Sequence, residues 1–431
     1  MVNLPAEFIA ETRRIMGEER FNRFLGAFDE EAPTSIRVNR SRFSRSEEGG
    51  ARSEITLVPW CEEGYYLADR PQFTFDPLFH AGCYYVQEAS SMFVTHILRT
   101  YLTPHSTLLT PQNTLLVPRF ALDLCAAPGG KSTALRSVLP DDCVLVSNEP
   151  MGNRAQILLE NITKWGAPNC IVTNNYPRDF RKAKLKFDMI LCDVPCSGEG
   201  MFRKDPATIS EWSPQNVEKC WQLQREIVAD AWECLNPGGL FIYSTCTFNT
   251  KENEENIRWI LENFDAEVLD IPVDPSWNIT GSLLEGFNAP VYRFIPGITR
   301  GEGLFACAMR KRGVRSDTRG VRSVECGVRN DKRGVRSVEC VVNKLKVISL
   351  PTPPSSLLKI DVDYSTALKY LRGEALVLPP DTPKGIVEIT YKGQTLGQAK
   401  NIGNRANNLY PKAWRIKTTH LPTEEVKIIN I

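Results

Sequence analysis

Residues Leu122–Ser132 read LDLCAAPGGKS. An apolar run stops at a Pro-Gly-Gly turn and passes straight into a helical pattern. Glycine there leaves the backbone bare for a ligand to approach, and a helix start offers N–H groups with no intrahelical partner. The GGKS ending invites comparison with the phosphate loop of nucleoside triphosphatases. That loop needs glycine five residues before its second glycine, where this chain has Cys125, so the triphosphate reading fails. At the tip of the next apolar run stands Glu149, the kind of acid that grips a ribose diol in nucleotide-binding sheets.

Outward from this loop the chain keeps one rhythm. Strand candidates at 120–125, 143–148, 170–173, 187–192, 239–244 and 304–309 alternate with helical patterns. Ala155, Leu158, Leu159 and Ile162 share one helix face; Val217, Cys220 and Trp221 share another, which Gln224 interrupts as a polar break. Ser213-Pro214 opens that second helix and Asn236-Pro237-Gly238-Gly239 closes it, and Ile257, Ile260, Leu261 and Phe264 mark a third. Such alternation predicts an α/β, Rossmann-like domain over 76–310, its parallel sheet covered on both faces.

A chain of 431 residues exceeds the usual allowance of about 150 per domain, so further units are expected. Residues 1–75 read as a small α+β module: a short helical region, then the basic stretch TSIRVNRSRFSR. Residues 311–355 differ in kind. RGVRSVEC at Arg319–Cys326 returns letter for letter at Arg333–Cys340, too polar to build a solenoid core, and predicts a mobile linker. Residues 356–431 resume globular patterning, with GIVEITYKGQTLGQA as a hairpin turning at Lys392-Gly393.

Composition removes other classes. With 42% hydrophobic and 24% charged residues the chain is neither collagenous nor wholly disordered. No apolar run approaches the ~18 residues a spanning helix needs, and Glu7, Glu11, Glu18 and Glu19 break the charge order of a signal peptide. Thirteen cysteines without an export signal imply a reducing cytoplasm; with no CxxC pair and four scattered histidines, no metal site is expected. Most of the cysteines should be buried small apolar residues. The net charge of +1, taken alone, argues against a nucleic-acid partner. Residues 310–340, however, hold ten basic side chains against four acidic ones, so a basic connector joins a mildly acidic body to its terminal module. Such a connector could hold RNA phosphates, or be merely solvated.

Two further motifs end strand candidates. Asp193-Val194-Pro195-Cys196-Ser197-Gly198 follows the fourth and Ser244-Thr245-Cys246-Thr247 the fifth. In open α/β sheets, ligands bind at those strand ends. Two thiols at neighbouring tips, one beside an Asp-Val-Pro turn, point beyond packing to chemistry.

LDLCAAPGGKS, DVPCSGEG and STCTFNTKENEENI, taken together, resemble successive motifs of the Sun-type RNA (cytosine-5) methyltransferases, and most of all the bacterial RsmF type that modifies small-subunit ribosomal RNA. PTSIRVN (Pro33–Asn39) and YYVQEASS (Tyr84–Ser91) are similar to the family's amino-terminal region, and NIGNRANNLYPKAWRIK to its PUA-like carboxyl-terminal module. The resemblance implies a Rossmann-like S-adenosylmethionine-dependent methyltransferase domain, with flanking RNA-positioning modules. It implies Cys246 as the thiol that adds to C6 of cytosine and Cys196 as a second thiol assisting product release. Asp193 would hold the cytosine edge or lie beside the cofactor. Lys131, we expect, favours the Cys246 thiolate electrostatically. By the same resemblance, Cys125, Ala126, Ala127, Pro128, Gly129, Gly130 and Lys131 would hold the amino-acid part of S-adenosylmethionine and Glu149 its ribose.

The chain departs from the family near the adenine, where Tyr176 stands for the usual acid; stacking on Tyr176 or a hydrogen bond from Asn175 are both left open. Pro296-Gly297 replaces a family Pro-His. Glu252, Glu254 and Glu255 are expected to be ordinary helix-start acids, and Tyr84 and Tyr85 either core residues or base-stacking ones. A cysteine in the Thr-Cys motif separates RNA from DNA enzymes, which attack with the Pro-Cys thiol. The expected partner is therefore RNA, ribosomal or the small ribosomal subunit, for a cytoplasmic monomer without metal or membrane. Transfer RNA as substrate, or a non-catalytic ribosome-assembly binder, are the alternatives.

Overall fold

The structure, a computed structural model, describes residues 3–42, 55–102, 117–166, 168–313, 339, 341–349, 356–418 and 420–429. Most of the expected linker and its basic repeat therefore lies outside the described residues. Four short strands, β1 (Ser35–Val38), β2 (Thr56–Val58), β3 (Cys61–Tyr66) and β4 (Tyr84–Val86), form an antiparallel sheet in the order β2-β3-β1-β4. Strand β4 falls beyond residue 75, so the amino-terminal module reaches further than the sequence suggested.

The central sheet carries β5 (Phe120–Asp123), β6 (Val144–Asn148), β7 (Cys170–Thr173), β8 (Phe187–Asp193) and β9 (Leu235–Thr245), with β10 (Ala266–Val268), β11 (Tyr292–Phe294), β12 (Leu304–Lys311) and β13 (Val347–Ser349) added at its edges. Its order is β10-β12-β9-β8-β5-β6-β7-β13, with β11 paired to β12. Strands β5 to β9 are parallel, as expected, but β10 to β13 pair antiparallel. Apolar clusters cover both faces, Val94, Ile97 and Leu135 in one, Ile227, Val228 and Trp232 in the other. The chain leaves β5 for β6 on one side and reaches β8 on the other. That switch point opens a crevice at the carboxyl ends of β5 and β8.

Helix Pro214–Cys234 opens as expected: Pro214 takes the first position and the Ser213 hydroxyl accepts from the Asn216 N–H at 3.1 Å. Two helices before β1, Ala6–Met16 and Glu18–Gly26, press Phe8 against Phe202 and Phe24 against Phe248, with ring centroids 5.1 Å apart in each pair. Those two rings follow Cys196 and Cys246 in sequence, so the amino-terminal helices buttress both thiol loops.

The linker boundaries need correction. Arg310 and Lys311 belong to β12; the Lys311 ammonium donates to the Trp232 carbonyl, and Arg312 pairs with Asp265. Val341 and Leu345 enter the core beneath the sheet, and β13 adds to the β7 edge. The carboxyl-terminal module holds β14 (Lys359–Asp361), β15 (Gly385–Tyr391), β16 (Gln394–Asn401) and β17 (Ala406–Asn408) beside helix Tyr364–Arg372. Strands β15 and β16 turn at Lys392-Gly393, both with positive φ (48° and 73°), the conformation a tight hairpin requires. This module is docked on the amino-terminal one. Ile36, Leu78 and Tyr84 share one buried cluster with Leu368, Leu371 and Ile389. The Gln394 amide donates to the Arg42 carbonyl at 2.8 Å, and the Tyr364 hydroxyl to the Phe75 carbonyl at 3.0 Å.

Candidate active site

Strand β5 ends at Asp123, and Leu124–Gly129 forms the turn into helix Gly130–Val138, with Gly129 at φ 115° and a cis Ala127-Pro128 bond. Three neighbours fix this turn. The Ala126 N–H donates to the Asn148 carbonyl at 2.8 Å; Arg154 and Asn161 donate to the carbonyls of Ala127 and Pro128 at 3.0 and 2.8 Å. Asp123 is fully buried and accepts from the Ser132 hydroxyl at 2.6 Å, while burial pushes its carboxyl up to about 7. Its Oδ1 finds no hydrogen-bond donor among the described residues, and neither does Oε2 of Glu149, which is 1% exposed with Arg154 3.4 Å away. Two buried acceptors without donors, on either side of a glycine turn, fit a ligand that brings hydroxyl and ammonium donors.

The amino-terminal module reaches this turn through Arg37, from the RVN motif. Fully buried, its guanidinium lies 4.4 Å over the Trp165 ring and donates to Gln87 Oε1 at 2.8 Å, to the Gly130 carbonyl at 3.4 Å and to the Thr133 hydroxyl. Burial brings its pKa down to about 10. An arginine from the basic stretch TSIRVNRSRFSR is thus the support of the helix start.

Across the switch point, both oxygens of Asp193 are engaged. The Lys131 ammonium donates to Oδ2 at 2.9 Å and the Ser244 hydroxyl to Oδ1 at 2.6 Å. Burial draws the Lys131 pKa down, but Asp193 first, then Cys246 and Asp123, outweigh it and hold the ammonium above its ordinary value. The two thiols meet: Cys196 Sγ lies 3.2 Å from Cys246 Sγ. The hydrogen bond to Cys246, then burial, push the Cys196 thiol well above its ordinary range. Seven other described cysteines, among them Cys61, Cys192 and Cys307, are buried, as small apolar residues would be.

Other expectations shift. The Asn175 side chain is engaged by the Lys346 backbone, donating to its carbonyl at 3.1 Å and accepting from its N–H at 2.9 Å, so it is not free for an adenine. Tyr176 remains 53% exposed at the rim. Tyr84 is a core residue whose hydroxyl donates to Asp76. Glu255 stands in the first turn of helix Glu254–Asn263 as expected, but the other two glutamates after Cys246 are more than helix-start acids. Glu254 forms a buried bidentate pair with Arg293, and Glu252 is fully buried under the thiol loops. Sequence reading gave no role to Asp123 or Ser244, though both lie inside its motifs, nor to Glu199, whose carboxylate accepts from the Phe248 and Asn249 N–H groups at 2.6 and 2.9 Å, nor to Asn249. Among the described residues no cluster could hold a metal, and no helix is long and apolar enough to cross a membrane.

The switch-point crevice thus brings together a glycine turn after β5, the Glu149 carboxylate after β6 and two thiols after β8 and β9. Three family models match the chain in succession: the N-terminal domain of 16S rRNA methyltransferase RsmF at residues 4–89, 16S rRNA methyltransferase RsmB/F at 106–310, and the methyltransferase RsmF PUA domain at 357–416. The chain belongs to the RsmB/F methyltransferase family. It is 35% identical over 327 residues to ribosomal RNA small subunit methyltransferase F of Pectobacterium atrosepticum, covering 72% of this chain and 63% of that one. To the protein of that name from Escherichia coli O17:K52:H18 it is 32% identical, covering 72% and 64%. The chain thus spans less than two thirds of these curated relatives. Among solved structures, a methyltransferase homolog protein from Pyrococcus horikoshii is 27% identical, covering 72% of this chain and all of that one, with a TM-score of 0.55.

Proposed function

We propose that this protein methylates C5 of a cytosine in small-subunit ribosomal RNA, taking the methyl group from S-adenosylmethionine. The observation that carries the reading is the 3.2 Å approach of Cys196 and Cys246 beside the Lys131–Asp193–Ser244 network. Cytosine C5 is a poor nucleophile until a thiolate adds at C6, and two thiols at one strand-end crevice suit that sequence of addition and release.

The turn Cys125–Lys131, with Glu149 and Asp193, would hold the cofactor, which supplies an electrophilic methyl group. Glu149 Oε2, paired with Arg154 at 3.4 Å but without a hydrogen-bond donor, suits a ribose hydroxyl. Cys246 gives its sulfur electron pair to C6, and the C5–C6 π electrons then take the methyl at C5. Transfer of the C5 proton to solvent water restores the double bond and returns the C6–S pair to sulfur as the Cys246 thiolate. Cys196, held protonated by its raised pKa, donates its S–H to that departing thiolate. Lys131, held on Asp193 at 2.9 Å, would offer its positive charge to the attacking sulfur. The target base must leave its stack to reach this crevice, and we place the protein in the cytoplasm as a monomer.

Transfer of labelled methyl from S-adenosylmethionine to small-subunit RNA, mapped by bisulfite sequencing, tests the proposal. Cys246→Ala should abolish transfer. Cys196→Ala should accumulate a covalent RNA–protein adduct on denaturing gels. Methylation surviving in Cys246→Ala would overturn the mechanism; no transfer to ribosomal RNA, with transfer to transfer RNA, would overturn the substrate.

A further inference from the structure

The polar break in helix Pro214–Cys234 has a partner across the crevice floor. Gln224 is fully buried, and its amide nitrogen donates to the Pro195 carbonyl at 2.9 Å and to Glu252 Oε2 at 2.7 Å. The same Glu252 oxygen accepts from the Ser197 N–H at 3.0 Å. Pro195 and Ser197 flank Cys196, so the turn that carries the thiol is gripped on both sides by two side chains that also grip each other.

The grip extends to the other thiol. Glu252 Oε1 accepts from the Asn249 amide at 2.8 Å, and that amide also reaches Thr247, the residue after Cys246, at 3.0 Å. The far side of Gln224 is saturated too: its oxygen accepts from the Tyr243 hydroxyl at 3.2 Å and from Asn256 at 2.7 Å. Gln224 therefore has no rotamer freedom left. A polar side chain in an apolar face costs stability unless every group is satisfied, and here two of the four bonds that satisfy Gln224 also hold the turn that carries Cys196.

We infer that Gln224 and Glu252 are positioning residues for Cys196, holding its sulfur against Cys246 so that the covalent RNA adduct resolves. The inference rests on the function proposed above, in which Cys196 serves release rather than addition. Cys246 follows the end of β9, where the Thr245 hydroxyl donates to Asn253 at 2.6 Å; Gln224 bonds the Pro195 carbonyl directly but reaches the Cys246 turn only through Glu252 and Asn249. Loosening the Pro195–Ser197 turn should thus move the second thiol and leave the first.

Gln224→Met keeps the volume and removes all four bonds; Gln224→Glu keeps the acceptor toward Tyr243 and Asn256 and removes the two donors. Both are mixed with S-adenosylmethionine and RNA substrate under conditions where Cys196→Ala shows its adduct. Each should give a burst of about one methyl per enzyme, then turnover slowed about tenfold, the scale of one lost hydrogen bond to a placed group, with adduct accumulating on denaturing gels. Adding Cys196→Ala should raise the adduct no further than Cys196→Ala alone. A general packing role would instead lower burst and turnover together, without adduct, and add to Cys196→Ala; that result in either folded variant overturns the inference. If Cys196→Ala itself forms no adduct, the proposed function has failed, whatever Gln224 does.

Discussion

Replacing Arg37 by methionine should weaken cofactor binding from a distance. The side chain makes three hydrogen bonds and lies over Trp165, all buried. Bonds from a charged donor contribute about 1.5–3 kcal/mol each and a desolvated cation–π contact about 2 kcal/mol. Keeping a guanidinium out of water costs several kcal/mol in return, and methionine would still pack on Trp165. The net loss is about 2–3 kcal/mol. Two of the three acceptors, the Gly130 carbonyl and the Thr133 hydroxyl, lie in the first turn of the helix that begins at the glycine loop. If that loss is felt as disorder of the turn, the S-adenosylmethionine Kd rises about 30- to 150-fold. Titration calorimetry of the wild type and Arg37→Met reads it directly, and binding of RNA in the same variant provides the contrast. A cofactor Kd within about twofold of wild type, alongside a lowered unfolding midpoint, would refute the reasoning; Arg37 would then pin two modules together and nothing more.

Two further outcomes follow from burial and docking. Asp123 titrates at about 7 in the fold against 3.8 for an ordinary side chain, so the folded state binds the proton more tightly. Its contribution is complete below pH 3.8 and is lost as pH rises through 7, about 4 kcal/mol as an upper figure; urea midpoints at pH 5 and 8 should differ in the wild type and less so in Asp123→Asn. Because the carboxyl-terminal module shares a core with the amino-terminal one, cutting the chain at a protease site inserted between 314 and 338 should leave both pieces co-eluting on size exclusion in physiological salt. Separation of the pieces would show that the covalent connection holds the module.

The sequence made the strand ends legible, because glycine turns, a Pro-Cys and a Thr-Cys each interrupt an apolar run at the edge of the crevice. The five parallel strands were readable for the same reason. What stayed hidden depends on partners far along the chain. Asn175 looks free for a ligand until Lys346, 171 residues away, is found against it. Strand β13 is three residues long, too short for its alternation to stand out, and gains its place only by pairing with β7. Arg37 sits in a basic, polar context that reads as surface, and only the fold shows Trp165 beneath it. Glu252 was masked by local plausibility: acids are common before a helix, and nothing local tells a solvated one from one enclosed by Gln224, Ser197 and Asn249. Gln224 was visible as an anomaly, although its meaning lay 28 and 29 residues away.

The core shared by the two end modules also changes what the connector is free to do. Chain length between Gly313 and Glu339 does not set where the last module stands, since β13 and the docked face fix it on both sides. Doubling such a stretch changes the closure entropy by only about 0.6 kcal/mol. A fourteen-residue duplication like the one written in Arg319–Cys340 can therefore arise, persist or vanish without displacing the surfaces around the crevice. The repeat marks the part of this chain in which length is nearly neutral, and relatives should differ there first.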